Sequence, residues 1–199
     1  MIKNMVFDMG NVLLRYDPMH YLRDYPEDDK EILNREIDQS PDWLALDRGE
    51  LTEPELIRLV SSRLPAHLAQ DAEKLIKWYQ PVMAISGMEE LVRDLHSLRY
   101  PIYLLSNTSL AFHQFRENLH ALKYFSGEFI SADYGLLKPD ERIYHLFCER
   151  FSLLPEECLF IDDSPANIES AVRAGFSGIV FDGDTSALRN HLAELGLLK

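Results

Sequence analysis

Five short apolar runs alternate with segments of helical periodicity, and this alternation constrains the fold more than any other feature of the chain. The runs are residues 2–7, 101–105, 128–131, 158–161 and 178–181. Near-continuous apolar strands of this length are typical of a parallel sheet covered on both faces. Helical spacing of apolar residues marks the segments 88–98, 109–119, 140–151, 166–174 and 187–195. The sequence therefore predicts an α/β fold built as a three-layer, doubly wound parallel sheet.

The stretch between the first two strands breaks the alternation. From residue 17 to residue 82 the pattern predicts helices alone, over residues 28–37, 53–64 and 66–78. Thr52 and Glu55 form a capping-box pattern at the start of the second of these helices. We therefore predict two units, an α/β core (residues 1–16 and 83–199) and an inserted helical module (residues 17–82).

Polar segments follow the apolar runs and recur in one order along the chain. They are Asp8, Ser106-Asn107-Thr108, Lys138 and Asp162-Asp163. The first, second and fourth segments come directly after strands, and the third lies in the loop beyond a strand. Because the carboxyl ends of parallel strands meet at one edge of a sheet, we expect all four segments to lie close together.

The carboxylates in this set match the needs of magnesium-dependent phosphoryl transfer. Asp8 would attack phosphorus and form an aspartyl-phosphate, which splits a difficult hydrolysis into two easier steps. Mg²⁺ prefers hard oxygen ligands, and Asp8, Asp162 and Asp163 provide them. The metal would also reduce the repulsion between an anionic nucleophile and an anionic phosphate.

The remaining members of the set are suited to binding the phosphate. Lys138 would neutralise charge on the phosphoryl oxygens. Ser106 and the amides of Asn107 and Thr108 would bind the anion where a helix begins. Taken singly, each residue also fits an ordinary role as a turn, cap or surface residue. Their occurrence together and in order favours a site.

Charge and composition narrow the class of ligand. A formal net charge of −13 disfavours binding to nucleic acid or to an anionic membrane surface. No apolar run approaches the length of a membrane span. Cys148 and Cys158 lie in apolar surroundings, which favours buried free thiols over a disulfide. We therefore expect a cytoplasmic protein whose partner is a small phosphorylated metabolite.

These segments together resemble the four motifs of the haloacid dehalogenase superfamily of phosphohydrolases, over nearly the whole chain. The matching segments are residues 8–12, 105–107, 138–139 and 160–163. The resemblance implies Asp8 as the nucleophile, Asp163 as the main metal carboxylate and the backbone carbonyl of Gly10 as a further Mg²⁺ ligand. Asp162 and Asn167 would support the metal from nearby.

The same resemblance implies a role for the helical insert and a class of substrate. The insert is similar to the cap domain of the superfamily's commonest small-molecule branch. The opening Asp-x-Gly-Asn-Val is similar to that of bacterial glucose-1-phosphate and other sugar-phosphate phosphatases. Within the insert, Arg48 in the turn 47–50 is a candidate substrate-binding residue, although an ordinary solvated turn fits equally well. Trp43, Trp78 and Tyr79 fit the core of the cap better than its substrate face.

Gly10 departs from the family pattern. The family usually has a second aspartate at this position, whose side chain acts as general acid and base. Replacements for that group are Asp17, Tyr16, His20 or a water molecule on the metal. Asp17 ranks first because a carboxylate can take the same role, but a turn or a helix N-cap explains the Asp17-Pro18 pair better.

Two other functions remain open. A 2-haloacid dehalogenase also lacks the second aspartate and uses the first to displace halide, but it needs no Mg²⁺, so Asp162-Asp163 would have no task. A catalytically weak homologue that binds a metabolite or a protein would explain Gly10. It would not explain why the nucleophile, the lysine and the metal carboxylates are all present.

Overall fold

In the computed structural model, which describes residues 1–198, a five-stranded parallel sheet forms the centre of the molecule. The strands are β1 (Asn4–Phe7), β2 (Ile102–Ser106), β3 (Gly127–Ile130), β4 (Cys158–Asp162) and β5 (Ser177–Val180). Their order across the sheet is β3-β2-β1-β4-β5. All five apolar runs form strands, and the predicted fold class is confirmed.

The helices divide between the insert and the core. Those of the insert are α1 (Pro18–Leu22), α2 (Glu27–Glu36), α3 (Pro41–Asp47), α4 (Glu53–Arg63) and α5 (Ala72–Ile76). Those of the core are α6 (Met88–Ser97), α7 (Phe112–Phe115), α8 (Ser131–Tyr134), α9 (Glu141–Phe151), α10 (Pro165–Arg173) and α11 (Thr185–Glu194). Across residues 1–198, every helix is too short or too polar to span a lipid bilayer.

The central strands β1 and β4 are buried on both faces of the sheet, whereas the edge strand β5 is partly exposed. Met5 and Phe7 belong to one apolar cluster and Val6 to another, because successive side chains of a strand point to opposite faces. The second cluster also holds the two cysteines, Cys148 and Cys158, as buried free thiols. A sheet covered in this way explains why its strands read as continuous apolar runs.

The insert packs an apolar cluster of its own. Leu33, Leu56 and Val60 are completely buried within it. This supports the predicted division between core and insert, whose bounds stay a prediction. Two predicted helices are shorter than their patterns. The 66–78 pattern covers a 3-10 turn (Ala69–Asp71) followed by α5, and the 109–119 pattern covers α7 followed by a 3-10 turn (Arg116–Asn118).

The reason is that apolar periodicity reports burial rather than unbroken helix. Leu75 and Ile76 are buried in the insert's cluster, whereas Tyr79 packs into the core cluster. The chain therefore changes direction after α5 while its apolar spacing continues. The same holds beyond α7, where Phe115 and Leu119 are both buried although helix α7 has ended.

The two segments that join core and insert run side by side. Arg15 donates its backbone N–H to Met83 at 2.7 Å, and Ile85 donates to Leu13 at 2.9 Å. The insert touches the core again through α3, which packs against α8. Both contacts lie near the carboxyl ends of the strands, so the insert covers the edge where Asp8 emerges.

Candidate active site

A buried lysine between two buried carboxylates forms the centre of the site. Asp8 leaves β1 in the middle of the sheet, and its backbone N–H donates to Ile161 on β4 at 2.9 Å. Lys138 Nζ lies 2.8 Å from Asp8 Oδ1 and 2.6 Å from Asp162 Oδ2. Since a buried charge is costly without a partner, the lysine and the two carboxylates depend on one another.

Asn107 fixes the backbone that carries the lysine. Its side-chain Nδ2 donates to the Lys138 carbonyl at 2.9 Å, and its Oδ1 accepts from the Lys138 N–H at 2.8 Å. The loop beyond β3 is therefore held against the end of β2. The predicted substrate-binding residue Asn107 uses its side chain in this contact, which leaves its backbone amide for an anion.

The two neighbouring carboxylates after β4 differ in how they are bonded. Asp162 is fully buried and accepts from the Ser164 N–H at 2.8 Å, from Asn167 Nδ2 at 3.0 and 3.1 Å, and from Lys138. Asp163 accepts from Asn11 Nδ2 at 3.1 Å and borders the cavity. Asp162 thus has its oxygens occupied, while Asp163 keeps acceptor capacity for a further ligand.

Carboxylate oxygens of Asp8, Asp162 and Asp163 lie within 4.8 Å of one another. Such a set of hard oxygen donors fits Mg²⁺, which is held in proteins by one or two carboxylates together with substrate phosphates. Gly10 lies in the loop after Asp8 and borders the same cavity. The residues present therefore suit a magnesium ion.

Burial and charge oppose each other in this cluster. Burial raises the pKa of Asp8 to about 6, against the lowering effect of Lys138. Burial likewise raises the pKa of Asp163. Burial disfavours the charged form of Lys138, but Asp8 and Asp162 more than offset this and hold its pKa above the ordinary value. The lysine is therefore a permanent positive charge beside Asp8.

The loop after Asp8 turns sharply and holds the Asp163 carboxylate in place. Asn11 has a positive φ of 53°, a conformation that asparagine tolerates better than most residues. Its Nδ2 donates to Asp163, and its Oδ1 accepts from the Tyr16 N–H at 2.9 Å. Gly10 borders the cavity, and a Cβ built there would meet no atom within 4 Å.

Above the cluster lies a cavity of about 230 Å³ between core and insert. It contains Asp8, Lys138 and Asp163 at its base. Its aromatic walls are formed by Tyr16, Trp43, Trp78, Tyr79 and Phe115. The sequence favoured core positions for the tryptophans and Tyr79. They do pack against the apolar clusters, but they also line the cavity.

Some of the other predicted site residues line this cavity and some do not. Thr108 and Asn107 line it, together with Asn167. Ser106 is buried at the end of β2 and, within residues 1–198, is not part of the lining. Arg48 also lies outside the lining, and its neighbour Asp47 is inside it. The roles of all these residues stay predictions.

The three side chains considered as replacements for the missing acid are placed unfavourably. Asp17 caps helix α1 by accepting from the His20 N–H at 3.1 Å. Neither Asp17 nor His20 lines the cavity in the described part of the chain. Tyr16 does line it, but its hydroxyl donates to Asp38, and burial together with this carboxylate raises its pKa.

Sequence reasoning missed two acidic residues of the lining, Asp47 and Glu53. Asp47 is the last residue of α3, and Glu53 is the first residue of α4. The sequence predicts the turn 47–50 between these helices to face the substrate, with Arg48 as the candidate binding residue. Only the packing of that turn against α8 decides which of its side chains faces the cavity.

Comparison with known proteins identifies the family. A model of the haloacid dehalogenase-like hydrolases matches residues 2–175. The chain belongs to this family. As a haloacid dehalogenase-like hydrolase, it is an enzyme, and the resemblance inferred from its motifs is confirmed.

Individual relatives of this hydrolase have diverse names. It is 27% identical to flavin mononucleotide hydrolase 1 of Arabidopsis thaliana over 78% of its own length and 62% of that protein's. It is 26% identical to a sesquiterpene phosphatase of Aspergillus oryzae, over 89% and 88% of the two chains. A haloacid dehalogenase family enzyme from Bacteroides thetaiotaomicron, solved as a magnesium complex, superposes with a TM-score of 0.71 at 25% identity, over 94% and 98% of the chains.

Proposed function

We propose that this hydrolase is a Mg²⁺-dependent phosphatase that cleaves a small phosphomonoester through an aspartyl-phosphate on Asp8. The observation that carries the proposal is the buried cluster in which Lys138 contacts Asp8 and Asp162 while Asp163 borders the cavity. Displacement of a halide would leave the carboxylate pair after β4 without a task. The phosphatase and flavin mononucleotide hydrolase among the relatives support the same chemistry.

The reaction begins with attack by a carboxylate oxygen of Asp8 on phosphorus. The bond to the ester oxygen breaks, and the alcohol departs. Water then attacks the aspartyl-phosphate, and the bonding electron pair returns to the Asp8 carboxylate. Lys138 stabilises negative charge on the phosphoryl oxygens throughout. Mg²⁺, when bound by Asp8, Asp163 and the Gly10 carbonyl, would supply the positive charge that lets one anion approach another.

The segment after β2 binds the phosphate in this proposal. The backbone amide of Asn107, just ahead of the next helical segment, is the donor that we assign to the anion. The Thr108 N–H already donates to Ser131 Oγ at 2.9 Å, so Thr108 would contact the phosphate through its hydroxyl. Ser106 anchors the segment at the strand end. Arg48 stays a candidate for contact with the rest of the substrate when the insert moves, since it lies outside the cavity lining here.

The substrate class that we propose first is a sugar phosphate such as glucose 1-phosphate, on the strength of the Asp-x-Gly-Asn-Val opening. A second candidate is the phosphate of a more apolar or aromatic alcohol. The aromatic walls built from Trp43, Trp78, Tyr79 and Phe115 favour it, as do relatives named for flavin mononucleotide and sesquiterpene phosphates.

The insert acts as a cap in this proposal. It closes the cavity from the side opposite the sheet, and closure excludes water and selects the substrate, as lids commonly do. We propose no nucleic-acid or membrane partner. The cytoplasmic location stays a prediction, because the Arabidopsis relative is named as chloroplastic.

The test is release of inorganic phosphate from a panel of glucose 1-phosphate, other sugar phosphates, flavin mononucleotide and farnesyl phosphate. Each is assayed with Mg²⁺ and with a chelator, beside an Asp8→Asn variant. We expect release that requires Mg²⁺ and disappears in the variant. Release that persists in Asp8→Asn would exclude the aspartyl-phosphate route. Absence of release from every ester, by folded protein in Mg²⁺, would favour the binding-protein alternative.

A further inference from the structure

Cleavage of a phosphate ester needs two proton transfers. The departing alcohol oxygen must gain a proton, and the water that attacks the phosphoenzyme must lose one. Position 10 provides no group for either transfer, because Gly10 has no side chain and the space beside it is open. The proton must therefore come from another group that borders the cavity or from a water molecule.

Most titratable groups of the cavity already have partners. Asp8 and Lys138 contact each other, Asp163 accepts from Asn11, Tyr16 donates to Asp38, and Tyr79 donates to Glu53 at 3.0 Å. Asp47 is different. Among residues 1–198, no side chain or backbone group forms a hydrogen bond with its carboxyl group, and its pKa is set by burial and by the charge of Asp8. That carboxyl is available to an incoming ligand.

The backbone of Asp47 is anchored to the core rather than to the insert alone. Its carbonyl accepts from Ser131 Oγ at 2.6 Å, and the same Oγ accepts from the Thr108 N–H at 2.9 Å. Ser131 lies at the start of α8 and is completely buried. One hydroxyl thus ties the end of α3 to the segment proposed to bind phosphate. This link holds the backbone of Asp47 next to the segment after β2.

We propose that Asp47 is the general acid and base of this hydrolase. This inference rests on the proposed phosphatase function. As Asp8 attacks phosphorus, the bond to the ester oxygen breaks, and that oxygen takes the proton of the Asp47 carboxyl. The resulting Asp47 carboxylate then accepts a proton from the attacking water, while the bond between phosphorus and Asp8 breaks. Asp47 ends the cycle protonated, and inorganic phosphate is released.

The electrostatic surroundings suit this role. Burial, reinforced by the charge of Asp8, raises the pKa of Asp47 to about 7, and a catalytic acid works best when its pKa lies near the working pH. The other charged and titratable groups of the same lining are Asp8, Lys138, Asp163, Tyr16 and Glu53. Helix α8, which packs against α3, adds Asp133 with its partner His113, and Arg48 is next in the chain.

The test compares two esters of similar shape, phenyl phosphate and p-nitrophenyl phosphate, in wild type and Asp47→Asn. Phenolate is the stronger base and needs a proton in order to leave, whereas p-nitrophenolate does not. We expect Asp47→Asn to lower kcat/KM for phenyl phosphate on the order of 10²–10³-fold. For p-nitrophenyl phosphate, the variant should release one equivalent of p-nitrophenolate per enzyme in a burst. Turnover should then be slow, because the phosphoenzyme lacks its base.

A second cavity carboxylate provides the matched control. Glu53→Gln removes an acidic group of the same lining that is already bonded to Tyr79, and it should show no burst. In wild type, kcat for phenyl phosphate should change with a pKa near 7, and Asp47→Asn should lose that dependence. Equal losses of kcat/KM on both esters, or an identical burst in Glu53→Gln, would overturn the assignment of Asp47.

Failure of this inference differs from failure of the proposed function. If wild-type protein in Mg²⁺ releases phosphate from neither of these esters and from no ester of the sugar phosphate, flavin mononucleotide and farnesyl phosphate panel, the phosphatase proposal itself is wrong. If wild type is active on both esters and Asp47→Asn retains full activity on phenyl phosphate, the phosphatase proposal stands and another group carries the proton.

Discussion

Lys138 is the residue on which the charge balance of the site depends. Its ammonium group is buried and contacts Asp8 and Asp162, which are also buried. Each carboxylate in turn approaches the other, and the charge of Asp162 acts to raise the pKa of Asp8. The lysine therefore contributes to the folded state as well as to the proposed chemistry.

We predict that Lys138→Ala lowers the free energy of unfolding by about 3–5 kcal/mol, because it leaves buried carboxylates without their counter-ion. The measurement is urea denaturation in metal-free buffer at neutral pH. The control is Lys123→Ala, which breaks an exposed ion pair with Glu89 and should lower the free energy of unfolding far less. Equal losses in the two variants would contradict a buried cluster. Phosphate release by Lys138→Ala should be abolished.

At the scale of elements, the end of α3 decides the position of Asp47. Gly49, two residues later, has a positive φ of 71°, and a Cβ there would lie 2.4 Å from the carbonyl oxygen of Ala132. Only a glycine therefore lets this turn lie so close to α8. The contact sets the distance between the insert and the segment after β2.

We predict that Gly49→Ala lowers the rate of phosphate release on the order of 10–100-fold, because a small displacement of a catalytic group has such effects. Gly196→Ala provides the control. Gly196 has a similar positive φ of 73° but open space around its Cα, so it adds the same backbone strain without the collision. Similar rate losses in both variants would show that strain, and not the contact with Ala132, is responsible.

The sequence was sufficient for features set by local pattern and by strand order. The apolar runs predicted all five strands, and strand order placed Asp8, Lys138 and Asp162-Asp163 together. The sequence was insufficient where a contact between residues far apart in the chain decides which side chain faces the site. Asp47 and Arg48 are neighbours in one turn, and the hydroxyl of Ser131, 84 residues away, helps determine which faces the cavity. The different bonding of Asp162 and Asp163 likewise depends on Lys138 and Asn11.

At the scale of the whole molecule, the net charge of −13 and the clustered carboxylates favour the binding of a divalent cation. Most of the acidic residues are dispersed over the surface, where they attract cations only weakly. Asp163 differs from them because it borders the cavity beside two buried carboxylates. A specific effect of Mg²⁺ on stability should therefore depend on this one residue.

We predict that Mg²⁺ at about 100 times its Kd raises the free energy of unfolding by about 2.7 kcal/mol. For a chain of this size, that corresponds to an increase in Tm of roughly 5–10 °C. Asp163→Asn should lose most of the increase, while Asp24→Asn, at an exposed surface position, should retain it. The measurement is thermal unfolding in MgCl₂ against NaCl of equal ionic strength. An undiminished increase in Asp163→Asn would contradict the proposed metal ligand.

The position of β1 has a consequence for how the chain acquires its structure. This strand precedes the other four along the chain, yet it lies in the middle of the sheet, where Met5 pairs with Ile102 and Asn4 with Cys158. Both pairings close very long loops, and contacts of such high sequence separation slow folding. On the ribosome, the strand that leads to Asp8 stays unpaired on one side until the fourth strand has emerged. The proposed nucleophile thus comes before the rest of the site in the sequence and is enclosed only after β4 has been synthesised.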